Sequence, residues 1–132
     1  MIRILVVDDS VFSQKVTANF LNRNLPDGTA EINFASDGEE GLEKFRILKP
    51  DYMFVDLLMP KLSGTDLIRA VQKEGDTGII VVTADVQKAV RQDIEALNVM
   101  AFVNKPLNAE KMRLLCDRMV RNDKNGSELL SL

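Results

Sequence analysis

The chain has 132 residues, 45% of them hydrophobic and 28% charged, which is the size and composition of one ordinary globular domain. Its formal net charge of -3 gives no electrostatic reason to expect binding to nucleic acid or to an anionic membrane. With no histidine there is no histidine-based catalysis, zinc site or phosphohistidine within these residues, and one cysteine cannot form an internal disulfide.

The N-terminus gives no sign of a membrane or export segment. No apolar run approaches the ~20 residues that a membrane span needs. Met1 leads almost directly into a strand-like run rather than into a secretory signal. We therefore expect a cytoplasmic protein with no membrane partner.

The first quarter of the chain reads as strand, helix, strand. Residues 2–7 are almost wholly apolar and end in polar residues typical of a helix N-terminus. An apolar stripe then predicts a helix over about residues 11–23, before a Pro-Asp-Gly breaker. Residues 30–35 alternate between apolar and polar, which indicates a partly covered strand at a sheet edge. The residues of the helical stripe are Phe12, Val16 and Phe20.

A second helix, a third strand and a third helix follow. The second helix begins at Asp37-Gly38 and ends before Pro50, because a residue that precedes proline is pushed out of helical geometry. Residues 52–55 form an apolar run with the β-branched and aromatic content of a buried strand. The third helix is predicted from Leu67, Ile68 and Val71 and ends near Gly75.

The remaining alternations complete the chain. Residues 79–82 are wholly apolar and predict a central strand. The next helix should bury a stripe that includes Ile94 and leave Arg91 on its solvent face. Residues 99–103 predict a fifth strand and residues 109–121 a last helix, while residues 122–132 form a short tail that we expect to fray.

Five alternations of strand and helix with short connections predict a doubly wound α/β fold around one parallel sheet. Right-handed crossovers and an edge position for the second strand favour the flavodoxin-like strand order 2-1-3-4-5. We assign residues 1–121 to a single domain and residues 122–132 to the tail.

Polar residues occupy the C-terminal ends of four of these strands. In a parallel sheet those ends share one edge, so the side chains should converge over the crevice between the first and third strands. Taken singly, each has a structural explanation, such as capping the next helix. Their joint occurrence instead favours a functional site. The residues are Asp8, Asp9, Asp56, Thr83 and Lys105.

The residue types indicate phosphoryl chemistry. Three crowded carboxylates repel one another unless a cation neutralises them, and oxygen-only ligands suit Mg²⁺. The Lys105 ammonium and the Thr83 hydroxyl can bind oxygens of a transferring phosphoryl group. Asp56 is then the candidate nucleophile, since a carboxylate can form an aspartyl phosphate.

At this level of detail the sequence resembles the receiver domains of two-component response regulators, in particular the single-domain chemotaxis type, over residues 2–121. The matching residues fall at the spacing of the family. They are Asp8-Asp9, Asp56 with Met59-Pro60, Gly64, Thr83-Ala84 and Lys105-Pro106.

The resemblance implies a role for each site residue. Asp56 would be the phosphoacceptor, and Asp8, Asp9, Asp56 and the backbone carbonyl of Leu58 would hold Mg²⁺. Thr83 and Lys105 would bind the phosphoryl oxygens.

Four further positions carry expectations. The Lys105–Pro106 bond is expected to be cis. Phe102 falls where such domains carry a switch aromatic, and a plain core aromatic is the alternative. Chemotaxis receivers often carry a polar residue at the position of Leu58, so Leu58 departs from the resemblance. Asp85 is expected at the same sheet edge as Thr83, with a role at the site or, alternatively, as the cap of the fourth helix. Cys116 belongs to the core stripe of the last helix.

The resemblance implies a signalling switch rather than an enzyme. A sensor histidine kinase or phosphotransfer protein would phosphorylate Asp56, and a downstream protein, with the flagellar motor switch as one candidate, would read the surface around the last two helices and the fifth strand. A phosphatase is a further candidate partner. Chemotaxis is the expected pathway.

Two other functions stay open as alternatives. The chain could be a receiver excised from a larger regulator. A phosphatase of the haloacid dehalogenase type also uses a nucleophilic aspartate but needs Asp-x-Asp, whereas Asp8 and Asp9 are adjacent. Nucleotide binding is disfavoured because neither glycine-rich phosphate motif occurs.

Overall fold

The computed structural model describes residues 1–84, 87–121 and 129–132. None of the helices in these ranges has the length and apolar character that crossing a bilayer requires. The strands are β1 (Ile2–Val7), β2 (Ala30–Ala35), β3 (Tyr52–Val55), β4 (Gly78–Thr83), β5 (Ala101–Asn104) and β6 (Leu130–Ser131). The helices are α1 (Val11–Asn24), α2 (Gly38–Leu48), α3 (Gly64–Glu74), α4 (Lys88–Glu95) and α5 (Ala109–Val120).

The strands form one parallel sheet in the order β2-β1-β3-β4-β5-β6. The predicted doubly wound fold and the order 2-1-3-4-5 are confirmed. All six residues of β4 are buried, as expected of a central strand, whereas five of the six residues of β2 are only half-buried at the edge. The strand order reverses between β1 and β3, which creates a crevice there.

Two hydrophobic cores lie on opposite faces of the sheet. Because successive residues of a strand point to opposite faces, Ile4 and Val6 join the core that contains α1 and α5 residues. Leu5 and Val7 join the core that contains residues of α2, α3 and α4. Both faces are therefore covered, and a polar site must lie at an end of the sheet.

The structure corrects the expectation that the tail frays. Residues 129–132 do not fray, because Leu130 and Ser131 pair with Ala101 and Phe102 and extend the sheet by a sixth parallel strand. A strand of two residues carries no periodic pattern, so the sequence could not show it. Residues 122–128 lie outside the described ranges.

The buried face of α1 also differs from a simple apolar stripe. Phe12 is 69% exposed, whereas Gln14 and Thr17 are 6% exposed and pack inward beside Leu21. Polar side chains can replace apolar ones there when buried hydrogen-bond partners satisfy them. The stripe therefore predicts the helix correctly but not the residues that it buries.

Cys116 lies in the core, as expected, at 3% exposure. Burial, with a smaller contribution from the charge of Asp117, raises the pKa of its thiol to about 12. The thiolate, which is the reactive form, is therefore scarce at neutral pH.

Candidate functional site

The site is built on two neighbouring strand ends. Val7 and Val55, the last residues of β1 and β3, are paired in register. The residues that follow them, Asp8 and Asp56, are therefore neighbours. The backbone N–H of Asp56 donates to the Val7 carbonyl at 3.0 Å, which fixes the two strand ends together.

Three carboxylates meet at this edge. Asp8, Asp9 and Asp56 each offer a carboxylate oxygen, and these atoms lie within 4.8 Å of one another. Asp8 and Asp56 are 6% and 7% exposed, while Asp9 is exposed to solvent. Ionised carboxylates this close repel one another, a nearby cation relieves that repulsion, and an oxygen-only set fits a hard divalent cation.

Lys105 supplies positive charge to two of them. Its Nζ lies 2.9 Å from Asp8 Oδ2 and 2.9 Å from Asp56 Oδ2. Burial opposes the charged form of Lys105, but hydrogen bonds and charge from Asp56 and Asp8 outweigh it and raise its pKa above the ordinary value. Lys105 is thus a fixed cation in direct contact with both buried carboxylates.

Backbone donors orient the second oxygen of each buried carboxylate. The N–H of Ser10 donates to Asp8 Oδ1 at 2.9 Å, and the N–H of Leu58 donates to Asp56 Oδ1 at 3.1 Å. Ser10 is also the N-cap of α1, with its side chain accepting from Ser13, so it fills the capping role considered for Asp9. The Leu58 side chain is 55% exposed.

Gln14 lies at the site, although the sequence did not predict it there. Its amide Nε2 donates to the carbonyl of Asp8 at 2.7 Å, to the carbonyl of Ala35 at 3.3 Å and to Ser36 Oγ at 3.1 Å. It therefore joins the loops after β1 and β2 behind the acidic cluster. Position 14 lies off the predicted stripe of Phe12, Val16 and Phe20, so no hydropathy pattern in the sequence indicated its burial.

Thr83 ends β4 and is fully buried. It pairs with Asn104 across the sheet, and its carbonyl accepts a hydrogen bond from the N–H of Lys105 at 2.9 Å. The Lys105–Pro106 peptide bond is cis, as the resemblance implied. Thr83 and Lys105 are thus linked through the backbone, and their roles toward a phosphoryl group stay predictions.

Phe102 is 1% exposed and lies in the core that faces α4. The guanidinium of Arg91 lies 5.2 Å from the centre of its ring, a cation–π contact. Arg91, expected on the solvent face, is therefore half-buried over this aromatic ring. Asp85 lies outside the described residues.

The doubly wound parallel sheet places the chain in the flavodoxin-like class of α/β proteins. Its acidic cluster and lysine lie at the β1–β3 crevice, which is the topological switch point of the sheet. The family model described as "response regulator receiver domain" matches residues 4–117. The chain belongs to the response regulator receiver family of two-component signalling.

Known proteins resemble the chain in sequence and in fold. It is 36% identical to protein-glutamate methylesterase/protein-glutamine glutaminase 2 of Koribacter versatilis, over 86% of the chain and 31% of that protein. The corresponding protein of Bacillus subtilis is 37% identical over 80% of the chain and 30% of its own length. The chain therefore spans about a third of these relatives.

Solved receiver structures match nearly the whole chain. The response regulator domain of Thermotoga maritima CheB superposes with a TM-score of 0.77 at 28% identity, over 97% of this chain and 99% of that one. The Vibrio cholerae chemotaxis protein CheY4 gives a TM-score of 0.77 at 26% identity, over 89% and 98%. Both likenesses agree with the family assignment.

Proposed function

We propose that the chain is a phosphorylation switch in which Asp56 accepts a phosphoryl group from the phosphohistidine of a sensor kinase or phosphotransfer protein. The observation that carries the proposal is the pair of contacts at Asp56: Lys105 Nζ at 2.9 Å, and the carboxylates of Asp8 and Asp9 within 4.8 Å. Histidine is absent from these residues, so the phosphohistidine lies outside them.

The transfer needs no reactant other than a solvent proton. A carboxylate oxygen of Asp56 forms the new O–P bond while the N–P bond of the phosphohistidine breaks, and the imidazole leaves with that electron pair and takes a proton from water. Lys105 and Thr83 bind phosphoryl oxygens as charge develops on them. The chain turns over only its own phosphoryl group and has no other enzymatic activity.

Mg²⁺ is the proposed cofactor. Asp8, Asp9 and Asp56, with the backbone carbonyl of Leu58, would hold it. When bound, it neutralises the carboxylates and the incoming phosphoryl oxygens. The oxygen-only donors of the acidic cluster support this assignment.

Replacing Asp9 by alanine should weaken Mg²⁺ binding about tenfold or more, because an exposed ligand is lost while Asp8 and Asp56 keep their contacts with Lys105. Calorimetric titration measures the affinity. Asp27→Ala, which removes an exposed carboxylate outside the cluster, is the charge-matched control. Equal Mg²⁺ affinity for Asp9→Ala and wild type would show that Asp9 is not a ligand of the metal.

The test of the switch is phosphoryl uptake from a small phosphodonor with Mg²⁺, followed by intact mass. Wild type should gain one phosphoryl group and Asp56→Asn none. Asp51→Asn is the matched control, since Asp51 precedes β3 at its opposite end and accepts a hydrogen bond from the N–H of Arg3. Uptake by Asp56→Asn equal to wild type, or none by wild type, would refute the proposal.

The comparisons support a chemotaxis role with an effector of the methylesterase type. The relatives named above are protein-glutamate methylesterases, and the chain matches about a third of each. They favour such an effector over the flagellar motor switch, and they support a receiver excised from a larger regulator as the second candidate. We place its action in the cytoplasm, where a kinase would supply the phosphoryl group.

A further inference from the structure

Gln14 is a buried polar residue that the proposed phosphoryl transfer does not use. It lies on the inner face of α1 at 6% exposure. Its amide donates to the Asp8 carbonyl at 2.7 Å, to the Ala35 carbonyl at 3.3 Å and to Ser36 Oγ at 3.1 Å. Burial of a primary amide is unfavourable unless its N–H groups have acceptors, so these bonds fix the amide in one place.

The acceptor on the β2 side is itself held in place. The N–H of Ser36 donates to Glu40 Oε1 at 2.7 Å, and the N–H of Glu40 donates to Asp37 Oδ1 at 2.8 Å. This reciprocal pair closes the N-terminus of α2, where Asp37 is the N-cap. Gln14 therefore joins the Asp8 backbone to a firmly capped helix.

The peptide unit that Gln14 holds leads directly to Asp9. Asp8 is also held without Gln14, because its N–H donates to the Ala35 carbonyl at 3.0 Å and its Oδ2 lies 2.9 Å from Lys105 Nζ. Asp9 is exposed, so little packing restrains its side chain. Since the peptide unit between Asp8 and Asp9 is planar, a donor to the Asp8 carbonyl also fixes the backbone from which the Asp9 carboxylate extends.

We propose that Gln14 is a positioning residue for the metal, which acts through the Asp8 carbonyl to keep the Asp9 carboxylate in the cluster with Asp8 and Asp56. This inference rests on the proposed function, because it concerns the Mg²⁺ site assigned there. The carboxylate oxygens of the cluster lie within 4.8 Å of one another. A ligand that is already in place loses less conformational freedom when the metal binds, so the affinity is higher.

Replacing Gln14 by methionine removes the amide donors and keeps an unbranched side chain of similar length. The Ala35 carbonyl retains its bond from the N–H of Asp8, and Ser36 is exposed, so the variant should fold. Urea unfolding without metal checks this. Calorimetric titration should show Mg²⁺ affinity about tenfold lower than in wild type. An affinity equal to that of wild type would overturn the inference.

Gln72→Met is the matched control. The Gln72 amide, on α3, also donates to a backbone carbonyl, that of Leu97. Gln72 lines a cavity with Ile79 where β4 begins, at the end of the sheet opposite to the acidic cluster. Its replacement should leave Mg²⁺ affinity unchanged. An equal loss of affinity in Gln72→Met and Gln14→Met would attribute the effect to general destabilisation and reject the positioning role.

A double-mutant cycle separates positioning from a merely structural role. If Gln14 acts through Asp9, Gln14→Met should weaken Mg²⁺ binding about tenfold in the wild-type background and less than about twofold in Asp9→Ala. The reason is that Asp9→Ala lacks the carboxylate that Gln14 holds. The same loss in both backgrounds would show that Gln14 does not act through Asp9.

Phosphoryl uptake on the same samples separates this inference from the proposed function. Gln14→Met should need about tenfold more Mg²⁺ for half-maximal uptake. Its maximal rate should match wild type, because Lys105 Nζ keeps its 2.9 Å contact with Asp56.

The outcomes for the two proposals differ. Uptake by wild type with an unchanged Mg²⁺ requirement in Gln14→Met rejects the positioning role and leaves the switch intact. Mg²⁺ binding that follows the predicted cycle, without uptake by wild type, rejects the switch and retains the positioning role. No Mg²⁺ binding by wild type rejects both.

Discussion

Replacing Gly64 by alanine should destabilise the protein by about 3 kcal/mol. A Cβ at Gly64 would lie 2.5 Å from the Asp56 carbonyl oxygen and 2.6 Å from Leu57 Cα. These are backbone atoms of the loop that carries the proposed phosphoacceptor, so they cannot move aside without displacing Asp56. We expect a lower free energy of unfolding in urea and slower phosphoryl uptake.

Gly75→Ala is the matched control for this prediction. Gly75 ends α3, and an added Cβ there would meet only the tip of the Phe45 ring, at an ordinary 3.7 Å. Its stability should stay within about 1 kcal/mol of wild type. If Gly64→Ala proved as stable as Gly75→Ala, the close approach of α3 to the site would not constrain the fold.

Replacing Lys105 by methionine should have opposite effects on metal binding and on phosphoryl transfer. Without the ammonium, Asp8 and Asp56 lose the cation 2.9 Å away, so they should bind Mg²⁺ more tightly than in wild type. The rate of phosphoryl uptake should fall about 10²–10³-fold, because a donor to the transferring group is lost.

Lys15→Met controls for the loss of one positive charge, because Lys15 is exposed on α1. It should change neither Mg²⁺ affinity nor uptake appreciably. Titration calorimetry and time-resolved intact mass provide the two measurements. Weaker Mg²⁺ binding by Lys105→Met would show that the lysine supports the metal site rather than competing for its carboxylates.

The sequence predicted the features that depend on periodicity and on strand ends. Apolar runs such as 52–55 identified the strands, and the polar residues after them fell at one edge of the sheet because all the strands are parallel. The sequence therefore predicted that Asp8 and Asp56 lie close together, although they are far apart in the chain.

The features that the sequence did not predict depend on single contacts in three dimensions. Gln14 is buried because its amide donates to three acceptors, the Asp8 carbonyl after β1 and the Ala35 carbonyl and Ser36 hydroxyl at the end of β2. Arg91 is half-buried because the Phe102 ring lies beneath its guanidinium. β6 forms through backbone hydrogen bonds, which a hydropathy pattern does not reveal.

The most direct test of Asp56 as the phosphoacceptor is to locate the phosphoryl group in the chain. Hydride reduction converts an aspartyl phosphate, but not a free carboxylate, into homoserine. Wild type phosphorylated with Mg²⁺, reduced with borohydride and mapped by peptide mass should carry homoserine at position 56 alone. Homoserine at position 8 or 9, or at no position, would contradict the assignment of Asp56 as the phosphoacceptor.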